Sequence, residues 1–188
     1  MEKIVVGITG ASGTLLAVRF LENLKDMEIH LVVSESAKKV MSLETNYTME
    51  YIKSLANYVY NDKDIAARIS SGSFLFSTFV IIPCSSSTLA KISSGISDTL
   101  ITRVATVALK ERRKFIIVPR EMPFSSIMLE NMLKLSRDNV IVSPAIPGYY
   151  NKPSTMDDLV NFVVARVLDV SGIKNSLSPR WKDAQVHG

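Results

Sequence analysis

The chain has 188 residues, of which 47% are hydrophobic and 21% are charged, and its formal net charge is +4. This composition excludes a disordered chain, and the length suits one domain built around a single core. The basic residues form no long Lys/Arg tract, so the sequence argues against a nucleic-acid-binding arm, and an anionic small ligand explains the excess charge equally well. The single cysteine, Cys84, excludes an intrachain disulfide and favours a reducing interior.

The amino terminus passes directly from Met1 into a strand-like run and lacks the pattern of a signal peptide. No apolar stretch approaches the length that spans a bilayer. We therefore expect a soluble, cytoplasmic protein that binds neither membranes nor nucleic acid.

Short apolar runs alternate along the chain with segments of helical apolar spacing. This alternation predicts one α/β domain with a parallel sheet and right-handed crossovers. A polar stretch over 57–73 is predicted to be an irregular surface excursion. The predicted strands are 4–8, 29–33, 79–82, 115–118 and 140–142, and the predicted helices are 15–24, 37–43, 49–56, 87–93, 99–112, 126–136 and 155–168.

The first predicted strand runs into a glycine-rich loop, Gly7–Gly13, and a helix follows from about Thr14. Glycines let the backbone approach a ligand closely, and the free N–H groups at a helix start attract phosphate. The loop departs from the G-x-G-x-x-G fingerprint, and a tight turn without a ligand would also use glycines. The pattern favours a phosphate- or nucleotide-binding loop.

Polar residues also follow the second and third predicted strands. Glu35 stands near the place where a dinucleotide enzyme has an acid for the ribose, but Ser34 could simply cap the next helix. The hydroxyl cluster Ser85–Thr88 could contact a ligand or serve only capping and turn chemistry. Cys84, just before this cluster, is interpreted as a small buried apolar residue.

Three groups of charges complete the candidate site. Arg103 and Lys110 lie seven residues apart, on one face of a predicted helix, where they could neutralise a phosphate or merely be solvated. Arg120 and Glu121 directly follow a strand that is apolar throughout, at the edge where parallel sheets bind ligands. Arg166 shares a helix stripe with apolar residues and needs an anionic partner there.

A series of motifs in fixed order covers almost the whole chain. They are GITGAS at 7–12, VMSLET at 40–45, PCSSSTLA at 83–90, the LKERR helix end within 103–113, VPREMPFSSIMLENMLKL at 118–135, PGYYNKP at 147–153, VVARVLD at 163–169 and PRW at 179–181. In this order and spacing they resemble the UbiX-type flavin prenyltransferases. The resemblance implies a three-layer Rossmann or flavodoxin-like fold over 1–175, a tail over 176–188, and a homododecamer that binds FMN at a subunit boundary.

The implied reaction moves a dimethylallyl group from its phosphate or diphosphate to N5 and C6 of reduced FMN. The product, prenylated FMN, would serve a UbiD-type decarboxylase. Cleavage of an allylic phosphate needs cations for the leaving group and a water-poor site, so Lys and Arg can replace a metal and none is expected.

The resemblance also assigns site residues by motif. FMN would be bound by Gly10, Ala11, Ser12, Ser34, Ser85, Ser86, Ser87, Thr88 and Arg120. The prenyl phosphate would be surrounded by Arg103, Lys110, Arg120, Tyr150 and Arg166, with Trp181 bordering the developing cation. Catalytic roles would fall to Ser12 as proton relay, Glu44 as proton acceptor, Lys110, and Glu121 near the flavin ring. The chain departs from the family at Thr106, where an acid is common, and around Ser93–Ser97.

Three alternatives compete with this interpretation. An FMN-dependent cysteine decarboxylase shares the fold but needs a histidine near the flavin, and the only histidines are His30, inside a predicted strand, and His187, near the end. A nicotinamide oxidoreductase of the short-chain type would need a Tyr-x-x-x-Lys pair, which the sequence lacks. A non-catalytic flavin carrier would bind FMN and leave it unchanged.

Overall fold

The computed structural model describes residues 1–181, and within them six strands form one parallel sheet. The sheet order is β3-β2-β1-β4-β5-β6. Strands β2 and β3 therefore lie on one side of β1, and β4, β5 and β6 lie on its other side. The strands are β1 (Glu2–Ile8), β2 (Met27–Val33), β3 (Tyr58–Asn61), β4 (Thr78–Cys84), β5 (Lys114–Pro119) and β6 (Ile141–Val142).

Seven α-helices connect and cover these strands in the part of the chain described. Six of them begin after a Ser or Thr whose hydroxyl accepts the N–H three residues on, which satisfies one of the free amides at the helix start. The helices are α1 (Thr14–Glu22), α2 (Glu35–Glu44), α3 (Met49–Ser54), α4 (Ser86–Ser93), α5 (Leu100–Lys110), α6 (Ser126–Arg137) and α7 (Met156–Ser171).

The helices form two layers, one on each face of the sheet. Helices α1, α2 and α7 pack on one face, and α4, α5 and α6 pack on the other. The central strands β1, β4 and β5 are buried on both faces, which explains their nearly unbroken apolar runs. This three-layer arrangement confirms the predicted fold. No helix within residues 1–181 is long and apolar enough to cross a bilayer.

One part of the predicted fold was wrong. The stretch 57–73 is not irregular throughout, because it contains β3 and a short 3₁₀ helix over Arg68–Ser70. Strand β3 has four residues at the sheet edge and is mostly exposed, so it lacks an apolar run. Ile69 is nevertheless fully buried, so the stretch contributes to the core. The other predicted strands and helices agree with the structure to within a few residues at each end.

Candidate functional site

The reversal of strand order between β1 and β4 creates a crevice at the carboxyl edge of the sheet, the usual ligand position in such sheets. Thr9, the residue after β1, joins the two strand ends here. Its hydroxyl donates to the carbonyl of Pro83 at 2.9 Å and accepts the N–H of Ser85 at 2.8 Å. Because Thr9 is only 2% exposed, these bonds are shielded from water and fix the two loops relative to each other.

The glycine-rich loop after β1 also contacts the loop after β2. Ser34 donates its N–H to the carbonyl of Ile8, and its hydroxyl caps α2 by accepting the N–H of Ala37. A Cβ added to Gly10 would lie 2.5 Å from the Ser36 side chain, so only glycine fits at this position. The predicted glycine loop thus holds its shape because it packs closely against the next loop.

Helix α1 begins as predicted, but the Glu44 carboxylate accepts a backbone N–H at its start. Gly13 adopts a left-handed conformation with φ of 107° at the N-cap. Its N–H donates to Glu44 Oε2 at 2.9 Å, although the two residues lie 31 positions apart. The structure therefore brings Glu44, at the end of α2, into contact with the residue that follows Ser12.

In the hydroxyl cluster after β4, one serine caps helix α4 and the next two are exposed. Ser85 caps α4 by accepting the N–H of Thr88, and it also donates to the Thr88 hydroxyl at 3.0 Å. Ser86 and Ser87 lie in the first helical turn and are exposed. The capping interpretation is confirmed for Ser85. The hydroxyls of Ser86 and Ser87 make no hydrogen bond within residues 1–181, and ligand contact stays a prediction for them.

Arg120 follows β5 and carries a buried polar atom that lacks a partner. Its Nε has no hydrogen-bond acceptor within residues 1–181, which is costly for a guanidinium and points to an anionic ligand. The neighbouring Glu121 does not supply that anion, since it is exposed and accepts the N–H of Met122 at 3.1 Å. No ion pair between Arg120 and Glu121 occurs in the described chain.

A second candidate region lies on the outer side of α7. Tyr150, Arg166 and Trp181 line one cavity of about 330 Å³. The Trp181 ring meets the Tyr150 ring edge to face, with centroids 4.9 Å apart. The sequence-based argument for Arg166 was wrong, because its side chain is 56% exposed and pairs with Asp169 at 2.9 Å instead of lying unpaired on an apolar stripe. The structure nevertheless brings these three predicted donor-binding residues together.

Arg103 and Lys110 lie on the exposed side of α5, as their spacing predicts. They do not both reach the carboxyl edge, because α5 runs towards the amino end of β5. Lys110 lies near Gly72 and pairs with Glu111 at 2.8 Å, which lowers the pKa of that carboxyl. At about 3.3 Å per residue, β5 separates Lys110 from Arg120 by roughly 20 Å. One chain alone does not bring Lys110 to the strand ends that carry Arg120.

The structure also bears on the competing interpretations. His30 is fully buried in β2, where its ring nitrogens contact the Tyr60 hydroxyl and the Glu28 carboxylate, both at 2.9 Å. The His30 ring is therefore engaged in these structural contacts. His187 lies outside the described residues.

Glu35 is exposed and pairs with Lys38 at 2.6 Å, so it does not face the crevice as a ribose ligand. Burial raises the pKa of the Cys84 thiol to about 12, which agrees with an inert apolar role.

Sequence reasoning missed two polar residues that organise these regions. Thr9 was passed over within the glycine loop, although a polar residue directly after a buried strand is a usable signal. Asp169 ends the VVARVLD motif, and its spacing of three residues from Arg166 matches a helical ion pair. Both act through other residues, which explains why their roles emerge only from contacts.

The crevice fits a phosphate-bearing flavin. Arg120 offers a buried Nε that has no partner within residues 1–181, the α4 start offers free hydroxyls and amides, and Gly10 lets the backbone approach closely. Fold and crevice together define a flavodoxin-like α/β protein built to hold a phosphate-bearing ring at its sheet edge.

Comparisons with known proteins agree with this class of protein. Residues 1–168 match the family model Flavoprotein. A flavin prenyltransferase UbiX from Thermoplasma acidophilum is 59% identical over 179 residues, covering 95% of this chain and 99% of the relative. The chain therefore belongs to the flavoprotein family and, within it, to the UbiX-type flavin prenyltransferases.

Two solved structures superimpose closely on this chain. AnUbiX (PadA1), in complex with FMN and dimethylallyl pyrophosphate, has a TM-score of 0.94 at 41% identity, covering 96% of this chain and 97% of that one. A dodecameric FMN-dependent UbiX-like decarboxylase from Escherichia coli O157:H7 has the same TM-score at 49% identity, covering 96% and 99%.

Proposed function

We propose that this protein is a flavin prenyltransferase that moves a dimethylallyl group from its phosphate or diphosphate to N5 and C6 of reduced FMN. The observation that carries the proposal is the close match, over 96% of the chain, to a relative captured with FMN and dimethylallyl pyrophosphate. The site residues described above supply the chemistry that this reaction needs.

The crevice between β1 and β4 would hold the flavin. Gly10, Ala11 and Ser12 would place backbone amides against it, while Ser34 and the Ser85–Thr88 cluster would contribute hydroxyls and helix-start amides. Arg120 would satisfy its buried Nε on the flavin or on the donor phosphate. When bound, reduced FMN supplies two nucleophilic positions, N5 and C6, and the protein supplies the orientation.

The cations would stabilise the departing phosphate. As the bond between the allylic carbon and the phosphate oxygen breaks, its electron pair leaves with the phosphate, where Arg103, Lys110 and Arg166 can bind it. The rings of Tyr150 and Trp181 can border the positive allylic carbon. After N5 has taken the allylic carbon, ring closure would require the remaining alkene to take up a proton, C6 to attack the tertiary cation so formed, and C6 to lose its own proton. Ser12 as relay and Glu44 as acceptor would handle this proton exchange.

We infer that the complete site forms between copies of the chain. In one copy, Lys110 lies at the amino end of β5 and Arg120 at its carboxyl end, so the two cations do not meet. The E. coli relative is dodecameric, and a homo-oligomer of this kind could present Lys110 of one copy to the crevice of another. The product would pass to a UbiD-type decarboxylase, and the free, unreactive Cys84 is consistent with a cytoplasmic location.

The test is an anaerobic incubation of the protein with reduced FMN and either dimethylallyl phosphate or diphosphate, followed by the mass and absorbance of the recovered flavin. The proposal predicts that the flavin gains one five-carbon prenyl unit with at least one donor. Flavin that binds but keeps its mass with both donors would support the non-catalytic carrier instead.

A further inference from the structure

The carboxyl-terminal segment, defined as residues 175–181, folds back over α7 and is fastened by Asp169. This carboxylate accepts hydrogen bonds from Arg166 Nη1 at 2.9 Å, from Arg180 Nη2 at 2.8 Å, from Arg180 Nη1, and from Asn175 Nδ2 at 3.0 Å. These four hydrogen bonds occupy the acceptor positions of the carboxylate. Asp169 is thus the common anchor for α7 and the segment that covers it.

A second attachment holds the same segment from the opposite side. Asn151 Nδ2 donates to the Ser178 hydroxyl at 3.2 Å and to the Pro179 carbonyl at 3.1 Å. The segment is therefore held between the loop before α7 and the helix itself. This position sets Trp181 against Tyr150 and closes one side of the 330 Å³ cavity.

Asp169 is well suited to this task because it is largely shielded from water. Its side chain is 17% exposed, whereas the Arg166 and Arg180 side chains are about half exposed. Hydrogen bonds from Arg180 keep the pKa of the Asp169 carboxyl below its usual value, although partial burial opposes this. Two guanidinium groups against one carboxylate leave a net positive charge at the cavity, where an anion can bind.

We propose that Asp169 is a positioning residue for the prenyl donor. It fixes the Arg166 guanidinium directly and, through Arg180, holds Trp181 over the cavity, so one carboxylate sets both the phosphate-binding cation and the aromatic wall. This inference rests on the proposed function for its substrate. Asp169 makes none of the contacts described at the flavin crevice, so FMN binding is not expected to depend on it.

The expected effect of Asp169→Asn is a loss of donor binding without a loss of flavin binding. Asparagine has the same shape but no charge, so both guanidinium groups lose their ion pair. With the Arg166 guanidinium and Trp181 no longer held in place, we expect the KM for the donor to rise by about tenfold. The Kd of FMN and the kcat at saturating donor should change far less.

Trp181 provides a readout that needs neither donor nor turnover, because it is the only tryptophan in the chain. We expect acrylamide to quench Trp181 emission more strongly in Asp169→Asn than in the wild type. Arg180→Ala should give the same increase, and since it lies in the terminal segment it leaves the core intact. The double variant should be quenched less than the sum of the two single effects predicts, because both variants break the ion pair between Asp169 and Arg180.

The matched control is Asp157→Asn, which removes another α7 carboxylate that pairs with Arg19 at 3.2 Å, far from the cavity. It should change neither quenching nor the donor KM. Unchanged quenching in both Asp169→Asn and Arg180→Ala would overturn the proposal, as would raised quenching with an unchanged donor KM. A wild type inactive towards both donors, with the quenching difference intact, would instead overturn the proposed function and the donor role that rests on it.

Discussion

The proposed flavin crevice and the proposed donor-binding cations are built in different ways. At the crevice, polar atoms are held by buried contacts within one chain, such as Thr9 between the ends of β1 and β4. The cations Arg103, Lys110 and Arg166 are instead exposed, and two of them rest in local ion pairs with Glu111 and Asp169. One half of the site is therefore pre-organised, while the other half needs a ligand or a second copy to complete it.

This difference separates flavin binding from prenyl transfer. Changes at the crevice should weaken FMN binding, because the polar atoms that would contact FMN are already held in place before any donor binds. Changes to the exposed cations should leave FMN bound and impair donor binding or the chemical step, since their partner is the donor phosphate and the charge that develops on it as it leaves. The following variants test which residues affect flavin binding and which affect prenyl transfer.

The largest effect is expected for Lys110→Ala. Loss of one cation that stabilises the leaving phosphate should lower turnover by about 100- to 1,000-fold, while the Kd of FMN stays within a factor of about two. Steady-state assay and flavin titration measure the two quantities. The control Lys53→Ala removes an exposed lysine on α3 and should have no effect, and equal turnover of the two variants would refute the role of Lys110.

Glu44→Gln should lower turnover by about 100-fold, the usual contribution of a positioned proton acceptor. Glutamine keeps an oxygen that can accept the Gly13 N–H, so the start of α1 and the Kd of FMN should be preserved. Single-turnover absorbance should show a stalled reaction after the first bond forms. Wild-type turnover would mean that Glu44 only caps the helix.

Arg120→Ala should weaken FMN binding by about 10- to 100-fold, because charge-assisted hydrogen bonds from a buried guanidinium are worth about 1.5–3 kcal/mol. Flavin fluorescence titration measures this loss. Arg137→Ala, at the exposed end of α6, is the control. If both variants bound FMN like the wild type, the unpartnered Nε of Arg120 would have no link to the flavin.

The smallest effect concerns stability and pH. Burial lowers the pKa of His30 below its ordinary 6.5, although the Glu28 carboxylate opposes this shift. The unfolded chain therefore takes up a proton first, so the free energy of unfolding should fall as pH drops below about 6.5 towards the folded pKa. Denaturant unfolding between pH 7 and 5 should show a shallower fall in His30→Gln. Parallel pH curves for the two proteins would exclude His30 as the cause.

Sequence reasoning predicted the sheet well because the buried parallel strands carry long apolar runs and Ser or Thr marks most helix starts. It failed at β3, since an exposed edge strand of four residues has no such run. It placed Ser12, Glu44 and Arg120 by motif, and the fold explains their proximity to the crevice. It overlooked that Lys110 lies at the amino end of β5, although a helix that leads directly into a parallel strand must end at that edge.

The most direct test of a site shared between copies is subunit complementation. Arg120→Ala and Lys110→Ala chains with different tags are co-expressed, and assemblies that carry both tags are assayed for flavin prenylation. If each site takes Arg120 and Lys110 from different copies, random co-assembly should restore roughly one quarter of wild-type activity. Mixed assemblies no more active than either variant alone would contradict the shared site and place both residues in one chain's site.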